Sequence, residues 1–175
     1  MKKYFLIGLL SCSNYCFPQL NITPMPAEVK PGKGSFILNR STAIVLEGSG
    51  LEKSAAFFNN YLQQHFGYKL KVTKKYTGDN AVSLNYEKLG NAIAGAYNLT
   101  ADKKGVYIAG DNEEGVFYGI QTLIQLLPVA KDLGIKKTDI SFTIPYVSIN
   151  DAPRFAYRGM HLDVGRHFFP VDFIK

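Results

Sequence analysis

The sequence of 175 residues has no tryptophan and only two cysteines. Both cysteines, Cys12 and Cys16, lie near the N-terminus, so the rest of the chain has neither a disulfide framework nor a cysteine-based metal site. The sequence also has no Gly-x-x-x-x-Gly-Lys-Ser/Thr phosphate loop and no Gly-x-Ser-x-Gly nucleophile elbow. These absences argue against a P-loop nucleotide hydrolase and against a serine α/β-hydrolase.

Charge of one sign is not concentrated anywhere. The 20 basic and 14 acidic residues give a formal net charge of +6, and the lysines and arginines are scattered along the chain. A nucleic-acid interface needs clustered basic residues, often with aromatic platforms, so no nucleic-acid partner is predicted. With 46% hydrophobic and 19% charged residues, the composition is that of a folded globular protein.

A long hydrophobic run is also missing. The apolar stretch at residues 4–10 (YFLIGLL) is far shorter than the about 20 residues that span a bilayer. Because Lys2 and Lys3 precede it and small polar residues follow from Ser11, residues 1–19 are predicted to be a cleaved signal peptide. We expect an exported protein, in the periplasm, at the outer membrane or outside the cell. Residues 9–12 (LLSC) resemble a lipobox, and a membrane association is expected only if Cys12 is lipidated.

Two amphipathic helices are predicted in residues 20–150. In the first, apolar residues recur every three or four positions and Gly67 follows as a left-handed C-cap; they are Leu51, Ala55, Phe58, Leu62 and Phe66. In the second, Asp111 or Asn112 is the N-cap and Pro128 ends the helix. Its predicted buried stripe is Val116, Ile120, Leu123, Ile124 and Leu127.

Short alternating or β-branched segments predict the strands between these helices. In residues 68–72, Tyr68, Leu70 and Val72 are expected to point inward, and residues 21–34 are expected to be an extended lead-in with a turn at 31–32. The predicted strands cover residues 36–38, 43–46, 68–72, 81–86, 96–100 and 106–109, the last two as a hairpin. The fold class is therefore α+β, a mixed sheet of about five to seven strands with two packing helices, whose topology stays open.

Residues 20–150 offer no convincing catalytic group. Glu113 and Glu114 are adjacent, but neighbours on a helix point about 100° apart, and both suit the first turn of the second helix. His65 has no second ligand at metal-binding spacing, so a surface position is expected.

Residues 154–167 carry more polar chemistry than a buried strand normally does. A strand is predicted over residues 157–164, followed by a loop and a helix start near Val171 and Asp172. The planar guanidinium groups of Arg154 and Arg158 suit ligands with paired hydrogen-bond acceptors, such as vicinal hydroxyls or carboxylates. The simpler interpretation is that these two arginines form salt bridges at a strand edge.

The segment DAPRFAYRGMHLDVGRHFFPVDFIK resembles the start of the catalytic barrel of family 20 glycoside hydrolases, the β-N-acetylhexosaminidases. It matches every fixed position of their pattern Asp-x-Pro-Arg-Phe-x-x-Arg-Gly-x-x-x-Asp-x-x-Arg-His-Phe/Tyr. PMPAEVKPGKGSF and AYNLTADKKGVYIAGDNEEGVFYGIQTLIQLLP resemble the opening and the latter half of the small domain before that barrel. The resemblance implies that residues 20–150 are this accessory domain. Residues 151–175 are then the incomplete start of a (β/α)8 barrel, which needs about 250 residues.

The resemblance also implies a reaction, removal of terminal β-linked N-acetylglucosamine or N-acetylgalactosamine with retention of configuration, assisted by the substrate's own acetamido group. By the motif, Arg166 binds the C3 and C4 hydroxyls of the terminal sugar, and Asp163 and His167 support its loop. Gly165 departs from the serine of many relatives. The family's catalytic Asp-Glu pair belongs to a later strand, so no catalytic residue is expected among these 175 residues and the polypeptide alone is expected to be inactive. A carbohydrate is the expected partner, and no metal or organic cofactor is implied.

Two other interpretations stay open. One is an exported non-catalytic module that binds a glycan or a protein partner, although the missing tryptophan weakens it. The other is a glycosidase family that uses the same accessory domain, such as the barrel enzymes that remove O-linked N-acetylglucosamine. The segment from Arg158-Gly159 to Arg166-His167-Phe168 argues against it.

Overall fold

A computed structural model describes residues 20–75, 78–91, 93–128 and 141–174. The predicted signal peptide, with Cys12 and Cys16, lies outside these ranges. No helix within these ranges is long and apolar enough to cross a membrane.

A seven-stranded mixed sheet forms the centre of the fold. Its strands are β1 (Glu28–Leu38), β2 (Ala43–Glu47), β3 (Lys71–Thr73), β4 (Ala81–Tyr86), β5 (Tyr97–Ala101), β6 (Gly105–Gly110) and β7 (Phe142–Asp151). They lie in the order β1-β7-β5-β6-β4-β2-β3. Neighbours among β3, β2, β4 and β6 are parallel, whereas β5 pairs antiparallel with β6 and β7, and β1 pairs antiparallel with β7. The predicted strand count and the hairpin of β5 and β6 are confirmed.

Two helices, α1 (Glu52–Phe66) and α2 (Glu113–Leu126), bury their apolar stripes in one core with the sheet. Both predicted caps are present. Gly67 has a left-handed φ of 78°, and the Asn112 side chain accepts a hydrogen bond from the backbone N–H of Gly115 at 2.9 Å. Ile124 is only half-buried, in contrast to the predicted stripe.

The predicted lead-in over residues 21–34 is wrong in its second half, because β1 begins at Glu28. In place of a turn at 31–32, the pairing of β1 with β7 shifts register between Pro31 and Ser35. Pro145, which has no N–H to donate to a ladder, lies at this irregularity, so β7 runs through it as one strand.

The predicted strand over residues 68–72 is also largely wrong. The strand β3 covers only Lys71–Thr73, and Val72 is 44% exposed. Tyr68 and Leu70 are buried, but Leu70 is held by a side chain. The Asn59 amide accepts from the Leu70 N–H at 2.8 Å and donates to its carbonyl at 3.0 Å, which replaces the ladder at that position.

The strand predicted over residues 157–164 is absent. This stretch has no regular structure and is exposed, and only the short helix α3 (Val171–Ile174) forms where a helix start was predicted. A strand needs a neighbour that accepts and donates its backbone hydrogen bonds, and no described strand lies alongside this one. The part of the expected fold that begins a barrel therefore has no barrel geometry here.

Candidate functional site

The motif-bearing segment, residues 151–174, begins at the last residue of β7. There Asp151 is tied to the sheet domain: its Oδ1 accepts from the Ala27 N–H at 3.1 Å, and its Oδ2 lies 3.4 Å from the Tyr97 hydroxyl. That hydroxyl also bonds the Thr122 hydroxyl at 2.6 Å. Burial of the phenol is the main cause that raises the pKa of Tyr97 to about 12, so its O–H stays protonated.

Asp163 and Arg166 form a closed unit within the segment. Asp163 Oδ2 lies 2.7 Å from both Nε and Nη2 of Arg166. Asp163 Oδ1 accepts from the backbone N–H groups of Gly165 at 2.8 Å and of Arg166 at 3.4 Å. One carboxylate thus fixes both the turn and the guanidinium three residues further on.

The hydrogen bond from the Arg166 side chain is the main cause that lowers the pKa of Asp163 from its ordinary value of 3.8, and the two backbone N–H groups add to it. The carboxylate is therefore ionised at neutral pH. Arg166 has five N–H donors in all. Two point to Asp163, and no other described residue accepts from the rest. Such a guanidinium suits a ligand with adjacent oxygen acceptors.

His167 follows Arg166 and is exposed. No hydrogen bond, ion pair or ring contact joins it to another residue in the described ranges. The contacts of Asp163 thus bear on the geometry of the loop, whereas the roles of Arg166 in sugar binding and of Asp163 and His167 as its support stay predictions.

The expectation that Arg154 and Arg158 form salt bridges at a strand edge is wrong for Arg158. Its Nη2 donates to the Tyr118 hydroxyl at 2.8 Å, and its Cζ lies 5.0 Å from the centroid of the same ring. Arg154 forms no salt bridge with any described acidic residue. The edge that these arginines were expected to hold does not form, because the segment has no strand.

A cavity of about 470 Å³ lies between the segment and the sheet domain. The segment contributes Arg154, Phe155 and Arg158, and α2 contributes Tyr118, Gln121 and Gln125. The cavity therefore combines cationic, amide and aromatic groups. Sequence reasoning missed it, because its walls come from distant parts of the chain. The available signal was Tyr118, a large aromatic residue that lies on α2 outside the stripe of Val116, Ile120 and Leu123.

Glu113 and His65 were expected to have structural or surface positions, and neither lines the cavity. Glu113 Oε1 lies 3.8 Å from Lys53 Nζ, an exposed pair that joins α2 to α1. The ring of His65 lies 4.4 Å from that of Tyr61 on the surface of α1. Neither contributes to the site.

The family model and the similar proteins that match this chain agree with each other. The family model for glycosyl hydrolase family 20, domain 2, matches residues 19–152. The chain is similar to a beta-hexosaminidase of Porphyromonas gingivalis, with 32% identity over 97% of this chain and 23% of that protein.

Two solved structures are also similar. One is the N-acetyl-beta-hexosaminidase of Streptomyces plicatus in complex with Thio-NAglucal, with a TM-score of 0.70 and 32% identity over 89% of this chain and 31% of that chain. The other is the GH20 exo beta-N-acetylglucosaminidase of Vibrio harveyi in complex with N-acetylglucosamine, with a TM-score of 0.69 and 25% identity over 85% and 21% of the two chains. The 175 residues span less than a third of the length of each of these three proteins.

Proposed function

Because the chain belongs to glycoside hydrolase family 20, we propose that it is the N-terminal portion of a β-N-acetylhexosaminidase. The reaction is hydrolysis of terminal, non-reducing N-acetylglucosamine or N-acetylgalactosamine residues of glycans. The observation that carries the proposal is continuity: the matched domain runs directly into the segment in which Asp163 holds Arg166.

Arg166 is assigned the task of binding the sugar. Two vicinal hydroxyls of a pyranose present adjacent acceptors, and a planar guanidinium donates to both at once. Asp163 holds the guanidinium before the sugar arrives, so less side-chain entropy is lost on binding. Asp163 also partly neutralises the cation, which favours a neutral polyol over an anion as the ligand.

The chemical step follows the substrate-assisted scheme of the family. The acetamido oxygen of the bound sugar attacks the anomeric carbon while a carboxylic acid protonates the departing glycosidic oxygen. Water then opens the cyclic intermediate, with overall retention of configuration. In this scheme the acid is the glutamate of an Asp-Glu pair, and the aspartate orients the acetamido group.

The 175 residues contain no Asp-Glu dipeptide. We therefore propose that this polypeptide binds the sugar weakly and does not hydrolyse glycosides by itself. The test compares two proteins in one assay, the 175-residue polypeptide and the product of the complete gene, with 4-nitrophenyl N-acetyl-β-D-glucosaminide. Nitrophenol release by the gene product alone is expected. Release by the purified 175-residue polypeptide contradicts the proposed inactivity. Release by neither contradicts the hexosaminidase proposal and favours a non-catalytic module.

Export is proposed on the N-terminal pattern of two lysines followed by an apolar run. Intact-mass measurement of the protein purified from whole cells and medium of its host tests it. A mature chain that starts near Leu20 is expected, an acylated N-terminal Cys12 indicates lipidation instead, and an unprocessed Met1 contradicts export by a cleaved signal.

A further inference from the structure

Beyond Pro153, the segment that carries Arg166 contacts the sheet domain through Tyr118, an aromatic side chain of α2. The Arg158 guanidinium contacts Tyr118 in two ways. Its Nη2 donates a hydrogen bond of 2.8 Å to the Tyr118 hydroxyl, and its Cζ lies over the ring, 5.0 Å from the centroid. Both interactions use the same pair of side chains, which lie 40 residues apart in the sequence. They therefore fix an orientation of the segment as well as a distance.

The Tyr118 ring also packs against the sheet domain. A Cβ placed on Gly95 would lie 2.8 Å from Cε2 of Tyr118 and 3.1 Å from Cγ of Pro153, so the ring packs directly against the Gly95 backbone and beside Pro153. The Asp111 carboxylate accepts from the Gly95 N–H at 3.0 and 3.2 Å, which holds the Gly95 backbone near the N-terminus of α2. The ring has little freedom to turn away from Arg158.

The segment is consequently held at Asp151, Pro153 and Arg158, and Phe155 between the last two lines the cavity. Beyond Arg158 no other hydrogen bond or salt bridge joins residues 159–174 to the sheet domain within the described ranges. In the described ranges, Arg158–Tyr118 is thus the last contact of the segment with the sheet domain before Arg166.

We propose that Tyr118 is a positioning residue for Arg166. It touches no substrate, and it acts by holding Arg158 so that the Asp163–Arg166 unit is presented in one place relative to the sheet domain. This inference rests on the proposed sugar-binding role of Arg166, and its first test is independent of that role.

The first test measures order in the 175-residue polypeptide by ¹⁵N NMR relaxation. Tyr118→Leu removes the ring and the hydroxyl. Phe57→Leu is the matched control, because the Phe57 ring on α1 packs against Phe117, 5.0 Å between ring centroids, whereas Phe117 itself lies 6.1 Å from the Tyr118 ring. We expect Tyr118→Leu to lower the heteronuclear NOE of residues 154–160 and to move the Arg158 Nε–H resonance to its random-coil position. Unchanged values in Tyr118→Leu, or equal changes in Phe57→Leu, overturn the inference.

The second test measures hydrolysis by the complete gene product. Tyr118→Leu and Arg158→Ala are each expected to raise KM about three- to tenfold with kcat nearly unchanged, and the double variant is expected to equal either single variant. Tyr118→Phe keeps the stack and loses only the hydrogen bond, and Arg158→Lys keeps a cation beside the ring but loses the planar stack. Each is expected to recover part of the loss. A fall in kcat alone, or additive effects, overturns the inference. Absence of hydrolysis in the unmodified protein contradicts the proposed function instead, and the NMR result then decides the anchoring by itself.

Discussion

Asp163 and Arg166 hold each other within one turn of chain, with the carboxylate Oδ2 2.7 Å from both Nε and Nη2 of the guanidinium. The partners are three residues apart, so the pair needs no other part of the protein to form. It also does not depend on burial, because the side chains are 41% and 87% exposed. The geometry of the pair is therefore set by the loop that carries both residues.

The acid titration of Asp163 follows from this pair. Because the guanidinium and two backbone N–H groups bind the ionised form, the pKa of the carboxyl is lowered from 3.8. For a carboxyl with a lowered pKa the interaction is present at higher pH and is lost as the pH falls through the folded-state pKa. Carbon-detected NMR of the Asp163 carboxyl is expected to give a midpoint below 3.8 in the native protein and a higher one in Arg166→Ala. Equal midpoints in the native protein and in Arg166→Ala contradict the ion pair between Asp163 and Arg166.

A buried amide that replaces a sheet ladder gives a second prediction. Asn59 binds both backbone groups of Leu70, and Asn59→Ala leaves that N–H and carbonyl unpaired in a buried site. We expect the free energy of unfolding to fall by about 2–4 kcal/mol. Asn60→Ala is the matched control, since Asn60 is exposed on the same helix, and a change within about 0.5 kcal/mol is expected. Urea unfolding measures both, and equal effects contradict the assigned role.

For Gly119→Ala, helix propensity and packing predict opposite effects on the free energy of unfolding. An alanine in the middle of α2 would be favoured over glycine by about 1 kcal/mol. A Cβ at this position, however, would lie 2.4 Å from Cγ2 of Ile108 on β6, well inside van der Waals contact. Gly119→Ala is therefore expected to lower the free energy of unfolding by about 1–3 kcal/mol, measured by urea unfolding. If Gly119→Ala is more stable than the unmodified protein, α2 packs less closely on β6 than the 2.4 Å distance indicates.

Features set by neighbouring residues could be predicted from the sequence. The recurrence from Leu51 to Phe66 with Gly67 after it defines α1, and Asn112 defines the start of α2, because helical periodicity and caps are local. The order of the strands could not be predicted. Glu28 pairs with Asn150 in β1 and β7, and no short-range pattern reports a contact between such distant residues.

The errors have the same physical origin. Alternation at residues 68–72 looks like a strand, but an amide from α1 satisfies Leu70, so the ladder starts later. The stretch 157–164 alternates as well, and no described neighbour pairs with it. In the site, the spacing of Asp163 and Arg166 is visible in the motif. The contact of Arg158 with Tyr118 is not, because it depends on how the segment meets α2.

The proposed sugar-binding role of Arg166 is measured most directly by kcat/KM of the complete gene product with 4-nitrophenyl N-acetyl-β-D-glucosaminide and with its 4-deoxy analogue. With the normal substrate, Arg166→Ala is expected to lower kcat/KM by about 100-fold, the loss of two charged hydrogen bonds. With the 4-deoxy analogue the loss is expected to shrink to about tenfold. Arg40→Ala, which removes a guanidinium that lies 5.1 Å from the Tyr68 ring, is the control and is expected to change neither. An equal loss in Arg166→Ala with both substrates, or none with either, contradicts the assignment of Arg166 to the sugar hydroxyls.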